Sequence, residues 1–335
     1  MERREFCRYL GVCTVAACTG GLAGCARLID WSSGSRDTAS RSMSGTETTS
    51  VQPTGTSVPT ATPEAPAPPP DLAVWTGDDP ESNVRAAIAA LGGMERFVKR
   101  GAKVVVKPNV LTGRAPKYAT TTNPQVLAGV VKMCLEAGAA SVVVLDRPTS
   151  SARQAFDVSG LTAATQSAGG TLKILSDRNF ERVEIPGGRS LTSWPLVADV
   201  FDADVFINVP IAKTHGMAGL TLSMKNLMGI MGGERGTIHQ DFAQKIVDVN
   251  TLVKPHLVVL DAYRMLIRNG PTGGDLRDVR LAKTVVAGTS QVAVDAFGTT
   301  LFEMKPTDLD YLVRAAEQGL GIIDLALLSV ARGQA

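Results

Sequence analysis

Short apolar, β-branched runs alternate with helical patterns along most of the chain. "AKVVVKPNV" (102–110), "SVVVLDR" (141–147), "TLKIL" (171–175), "DVFINVP" (204–210), "HLVVLDA" (256–262) and "KTVVAG" (283–288) place apolar residues at successive positions. That pattern predicts strands buried on both faces. "NPQVLAGVVKMCLEAGA" (123–139) has helical apolar spacing, with Pro124 in its first turn and Gly138 at its end, as helix ends prefer. "ARQAFDVSGLTAATQSAG" (152–169), "DFAQKIVDVNTLV" (241–253) and "VAVDAFGTTLFEM" (292–304) predict further helices. "LTLSMKNLMGIMG" (220–232) predicts one more, packed on the core, with Gly229 near its end. Strands alternating with helices predict an α/β fold, a largely parallel twisted sheet with helices on both faces.

The first 70 residues break the pattern. "MERREFCRYLGVCTVAACTGGLAGC" (1–25) has a basic start, a short apolar stretch and a small-residue end, the three parts of an export signal. Arg3-Arg4 with Phe6 resembles a twin-arginine signal, and Leu22-Ala23-Gly24-Cys25 resembles a lipobox. Cys25 is then the expected lipidation site and first mature residue. The apolar run is shorter than the roughly 20 residues a span requires. Residues 26–70, rich in Ser, Thr and Pro and ending in "PTATPEAPAPPP", hold too few large apolar groups to offset the entropy of ordering. They read as a tether, leaving residues 71–335 for the α/β domain. The expected address is the outer face of the cytoplasmic membrane or the periplasm, with a lipid anchor as the membrane contact.

Composition removes several function classes. Lys and Arg number 34 against 32 Asp and Glu, a balance that gives no support for bulk nucleic-acid binding. Of the five cysteines, Cys7, Cys13 and Cys18 fall in the signal and Cys25 takes the lipid. Cys134 remains alone, in a helical apolar pattern that suits a buried thiol. Neither an intramolecular disulfide nor a cysteine-ligated iron–sulfur cluster is therefore expected in the domain.

In a parallel sheet, ligands bind beyond the carboxyl ends of the strands. The residues there are Lys107-Pro108-Asn109, Asp146-Arg147-Pro148, Asn208-Val209-Pro210 with Lys213 and His215, and Asp261. From 205 to 240 the chain carries Lys213, Lys225 and Arg235 against one acid, Glu234, and two of its three histidines, His215 and His239. A cationic segment at strand ends suits a carboxylate or phosphate, which gains charge-assisted hydrogen bonds there. Lys213, His215 and His239 are the expected catalytic groups, one of them moving a proton. Lys107, Asn109, Lys225, Asn226 and Asp261 are the expected substrate-binding groups. A second reading stays open, in which His215, His239 and Asp241, with Asp261, ligate a divalent metal. His256 precedes a strand and reads as structural. "GIMGGERG" (229–236) follows a predicted helix, unlike a phosphate loop, and there is no Gly-x-Ser-x-Gly elbow.

"VVVKPNV", "INVPIAKTH", "LTLSMKNLMG" with a later His, and "VLDAYRMLIRNGPTGG" resemble, in that order, the family catalogued as domain of unknown function 362, over roughly residues 100–300. The resemblance matches Lys107, Asn109, Lys213, His215, Lys225, Asn226 and His239 without assigning them roles. Some members of that family look fused to ferredoxin-like cluster modules, whose cysteines this sequence lacks. Together these features predict an exported, lipid-anchored α/β enzyme acting on a small anionic substrate by proton transfer. The alternative is a lipoprotein that captures an anion, metal or cofactor without turnover.

Overall fold

A computed structural model describes residues 68–335. The expected signal at 1–25 and nearly all of the 26–70 tether lie outside the described residues. Strands are β1 (Leu72–Thr76), β2 (Lys103–Pro108), β3 (Ser141–Asp146), β4 (Thr171–Ile174), β5 (Phe180–Glu184) and β6 (Ser193–Val197). They continue with β7 (Val205–Val209), β8 (Ile211–His215), β9 (Gly219–Thr221), β10 (Leu257–Leu266), β11 (Val279–Gly288) and β12 (Val330–Gln334). The helices are α1 (Pro80–Ala90), α2 (Pro124–Glu136), α3 (Ala152–Val158), α4 (Leu161–Ser167), α5 (Asp199–Asp202), α6 (Ser223–Asn226), α7 (Phe242–Leu252), α8 (Gln291–Thr300) and α9 (Asp310–Glu317).

The main sheet has the order β12-β1-β11-β10-β7-β2-β3-β4, with β8 and β9 extending from β10. The run from β10 through β7, β2 and β3 to β4 is parallel. Strand β11 is antiparallel to both β10 and β1, and β9 is antiparallel to β8. The sheet is therefore mixed but mostly parallel, the expected α/β class. β5 and β6 form a separate hairpin.

Alternation along each strand divides two cores. On β7, Val205, Ile207 and Val209 pack with Val84 and Ile88 of α1 and Val130 and Val131 of α2, while Phe206 points to the other layer. That second layer holds Ile246 and Val249 of α7, Val294 of α8 and Leu312 of α9, with Val258 and Leu260 of β10 beneath them. Both faces of each central strand are apolar because both are roofed by helices. Helix α2 begins as expected: Pro124 opens it, and Asn123 caps it by accepting the Gln125 N–H at 2.9 Å. Cys134 is fully buried on its inner face.

Three local expectations are corrected. The segment 152–169 is two helices, because Gly160 turns left-handed at φ 75° and interrupts the ladder. The 220–232 segment is a strand, a four-residue helix and a 3₁₀ turn rather than one helix. Its burial is complete enough to mimic a helix pattern, but Asp295 holds it open by accepting the amides of Ser223 (2.6 Å) and Met224 (2.9 Å). Finally, Lys213 and His215 lie in a strand, not in the loop after one. Pro210 supplies no N–H and breaks the ladder, yet the chain resumes as β8 along the same neighbour, β10.

Candidate functional site

Strand alternation aims the functional groups. Lys213 and His215 are two apart on β8 and line a cavity of about 360 Å³, as positions i and i+2 share a face. Lys107 and Asn109 at the end of β2, Asp146 and Arg147 at the end of β3, and Lys225 and Asn226 of α6 line it too. Arg235 and His239 close it from the turn before α7. The cavity thus lies beyond the carboxyl ends of β2 and β3. Lys107, Asn109, Lys213, His215, Lys225, Asn226 and His239 are all brought together. His215 and His239, distant in the chain, stack with ring centroids 5.6 Å apart and planes 11° from parallel.

Asp261 is placed elsewhere. It is fully buried on β10 and not part of the cavity wall, its oxygens accepting the amides of Asn123 (2.7 Å) and Tyr263 (3.0 Å). Burial raises its carboxyl to about 6. His256 is structural, accepting the Phe206 amide at 3.1 Å. Conversely, Asp146, Arg147 and Arg235 join the wall although sequence reasoning did not assign them to the site. The strand-end position of Asp146-Arg147 and the cationic run around Arg235 were the signals that could have included them.

A relay of buried amides ties the lysines to the scaffold. Lys213 Nζ donates to Asn109 Oδ1 at 2.9 Å, and Asn109 Nδ2 donates to Asn226 Oδ1 at 2.8 Å. Asn226 Nδ2 donates to Asn208 Oδ1 at 2.7 Å, and Asn208 Nδ2 donates to Gln291 Oε1 at 2.9 Å. Gln291 Nε2 then donates to Asn250 Oδ1 at 2.5 Å, and Asn250 Nδ2 ends on the Ile246 carbonyl at 2.7 Å. Every amide orientation is forced from both ends. Lys107 and Lys213 donate to the nearest amide oxygens and so turn them toward themselves. The Ser223 and Ile246 carbonyls can only accept, so they fix the far nitrogens.

Charge in the cavity is unbalanced. Lys107 pairs with Asp146 at 2.9 Å, and that carboxylate's other oxygen accepts the Val110 amide at 2.6 Å. Among the described residues, Asp146 is the sole acidic residue of the wall. Burial lowers Lys213 to about 7, with Lys225 adding repulsion, and lowers Lys225 to about 8, with Arg235 and Lys107 adding theirs. Two oxygens, Asn109 Oδ1 and the Thr120 carbonyl (2.6 Å), take N–H groups of Lys213. A neutral amine has two N–H groups and one lone pair, so its lone pair is then left over.

The histidines present complementary atoms. His215 Nδ1 accepts the amides of Met217 (3.2 Å) and Ala218 (3.3 Å), which fixes the proton on Nε2. Burial, with Lys225 nearby, pushes its pKa to about 3, so it stays neutral near pH 7. His239 Nδ1 lies 3.2 Å from the Gly236 carbonyl, which can only accept, so Nδ1 carries the proton and Nε2 the lone pair. That Nε2, and the hydroxyl of Thr221 in the same wall, are buried without a hydrogen-bond partner among the described residues.

A divalent metal does not suit these groups. Among the described residues no set of three or more His, Cys, Asp or Glu is disposed to hold one. Asp241 accepts the Ser190 hydroxyl at 2.5 Å, Asp261 is enclosed by amides, and the neighbours of the histidine pair are cations.

The family described as "Domain of unknown function (DUF362)" matches residues 104–300, which hold every cavity residue named above. The chain belongs to this family. A thylakoid-associated protein of Synechocystis sp. is 31% identical over 255 residues, covering 72% of this chain and 75% of that protein. Among solved structures, the lactate racemase apoprotein of Thermoanaerobacterium thermosaccharolyticum aligns at TM-score 0.40 and 11% identity, over 71% of this chain and 58% of that one. A Thermotoga maritima protein aligns at TM-score 0.37 and 13% identity, over 55% and 51%. The chain thus spans between half and three-fifths of these two structures. No helix among the described residues is long and apolar enough to cross a membrane.

Proposed function

We propose that this member of the family is an exported, lipid-anchored enzyme that moves a proton on a small anionic substrate. The observation that carries the reading is the setting of Lys213: a buried amine, held by two oxygen acceptors on a cavity wall crowded with other cations. Low dielectric and neighbouring charge bring such an amine near the working pH of a general base. Lys213 is accordingly the base, taking a proton from a carbon activated by an adjacent carbonyl. Lys225, Arg235 and the fixed Nε2–H of His215 face the negative charge that develops on the substrate. His215 serves as a neutral donor and not as the proton carrier, because its Nδ1 is already occupied by two amides. His239, with a free Nε2 lone pair, is the candidate for accepting a substrate hydroxyl.

Lipidation at Cys25 and export through the Arg3-Arg4 signal belong to the same proposal and rest on the sequence. The thylakoid association in the name of the Synechocystis relative is compatible with an anchored protein.

Proton exchange tests the reaction directly. The full chain, incubated in D₂O with a panel of α-hydroxy, α-keto and phosphorylated carbonyl acids, should wash deuterium into one of them, as read by proton NMR. Lys213→Met should stop that exchange. Exchange that persists in the variant removes Lys213 as base, and binding without exchange across the panel favours the capture lipoprotein.

A further inference from the structure

The wall contains more positive charge than it can neutralise. Asp146 compensates Lys107 and is fully engaged by that lysine and the Val110 amide. Lys225 is only 8% exposed, and its ammonium meets a thioether, Met228 Sδ at 3.6 Å, and the face of Phe242 at 5.7 Å. Arg235, half-buried, places one N–H on the Met228 carbonyl at 3.2 Å. Among the described residues neither forms an ion pair. A lysine can shed its proton to escape such a setting, but a guanidinium cannot. Burying unpaired cations is costly, so the arrangement anticipates a counter-charge from outside the chain.

Position narrows what that counter-charge is. Both cations contact one residue, Met228, Lys225 at its sulfur and Arg235 at its carbonyl. Lys213 and His215 reach the same cavity from β8, with Lys225 near enough to lower the proton affinity of both. Negative charge is therefore wanted at one compact locus beside Met228, with the proton-transfer groups within reach of it in the same cavity. The volume of about 360 Å³ is at the small end for a ligand site.

We propose that the cavity takes a phosphate monoester, its dianionic group held between Lys225 and Arg235 and its carbon portion turned toward Lys213. Two carboxylates spread along a chain would put the second charge away from Met228, whereas one phosphate places both at a single centre. Its several acceptor oxygens also match the planar donor fork of arginine together with the point charge of lysine. Thr221 and His239, whose buried polar atoms have no partner among the described residues, remain to bond hydroxyl or carbonyl groups of the carbon portion.

This proposal rests on the reading of the cavity as an anion site, and calorimetric titration separates the two. The full chain is titrated with inorganic phosphate, succinate and chloride at matched ionic strength and near-neutral pH. Phosphate should bind, with succinate and chloride at least about tenfold weaker, the difference one charge-assisted bond supports. Lys225→Gln and Arg235→Gln should each weaken phosphate binding roughly ten- to hundredfold, and Arg235→Lys should recover part of the loss. Lys213→Met should retain phosphate binding while abolishing proton exchange. Unfolding midpoints of each variant show whether a loss comes from misfolding, and the Arg235→Lys recovery provides the check if a Gln variant proves unstable. Succinate binding as tightly as phosphate, or phosphate binding unaffected in both Gln variants, overturns the proposal. Phosphate selectivity without exchange on any substrate keeps it and overturns proton transfer instead.

Discussion

Lys107 and Asp146 meet at 2.9 Å at the ends of neighbouring parallel strands, both buried, and the backbone of Gly229 lies directly on the pair. A Cβ at Gly229 would come within 2.7 Å of Lys107 Nζ and would overlap Asp146 Oδ1. Neither partner can retreat without giving up the other.

Gly229→Ala should therefore destabilise the protein by about 1–3 kcal/mol, the range for overpacking a filled interior. The residue is not among those with positive φ, so the effect is steric rather than conformational. Urea unfolding reads it. An unchanged midpoint would mean that the 227–230 turn shifts freely, contrary to its packing on the ion pair.

Stability should rise with pH above neutrality. Lys213 titrates near 7 in the folded chain and near 10.5 once unfolded. Between those values the unfolded chain binds the extra proton, so unfolding free energy grows with pH, by up to about 1.4 kcal/mol per unit for this group. Below 7 both states are protonated and the penalty of the buried ammonium is fully present. Lys225 adds the same sign from about 8 upward. Lys213→Met should flatten the profile above pH 7 when urea unfolding is repeated across this range. Parallel profiles for variant and wild type would show that the amine keeps its ordinary affinity for protons.

The amide relay makes Asn208 a sensitive position. Asn208→Leu keeps the branched shape in a somewhat larger side chain, leaves Gln291 Oε1 unpaired in a buried setting, and leaves Asn226 Nδ2 only the Pro108 carbonyl at 3.5 Å. Each such group costs about 1–3 kcal/mol. The variant should lose stability on that scale, measured by denaturant unfolding. A loss well under 1 kcal/mol would mean that the amides find other partners.

The address can be checked in cells. Replacing Arg3 and Arg4 by Lys should leave precursor in the cytoplasm, and Cys25→Ser should abolish incorporation of radiolabelled palmitate. Export of the double-Lys form, or labelling that survives at another residue, would remove the twin-arginine lipoprotein reading.

Much of the architecture was legible along the chain. The six apolar runs named from the sequence are all strands. The central ones are buried on two faces, as continuous β-branched residues demand, whereas β4 is an edge strand with no fully buried residue. The cationic segment with one acid pointed to Lys213, His215, Lys225 and His239 as neighbours, and all four line one cavity. What was illegible depended on pairing between distant segments. β1 and β12 become strands through their places beside β11 and each other. β8 could not be separated from the loop after β7 because only its pairing with β10 makes it a strand.

Local pattern, then, determined the class of fold and the sign of the site. Side-chain apolarity and backbone preference act within a few residues, and a sequence displays both. The tertiary structure alone decided which charges are spent and which are left. Asp146 neutralises Lys107, Asp261 turns away to the amides of Asn123 and Tyr263, and Lys225 and Arg235 remain without a carboxylate partner among the described residues. Those outcomes rest on contacts of a few ångströms between groups far apart in the chain. In a medium that screens charge poorly, such contacts decide whether a lysine is a counter-ion, a base or an anion receptor.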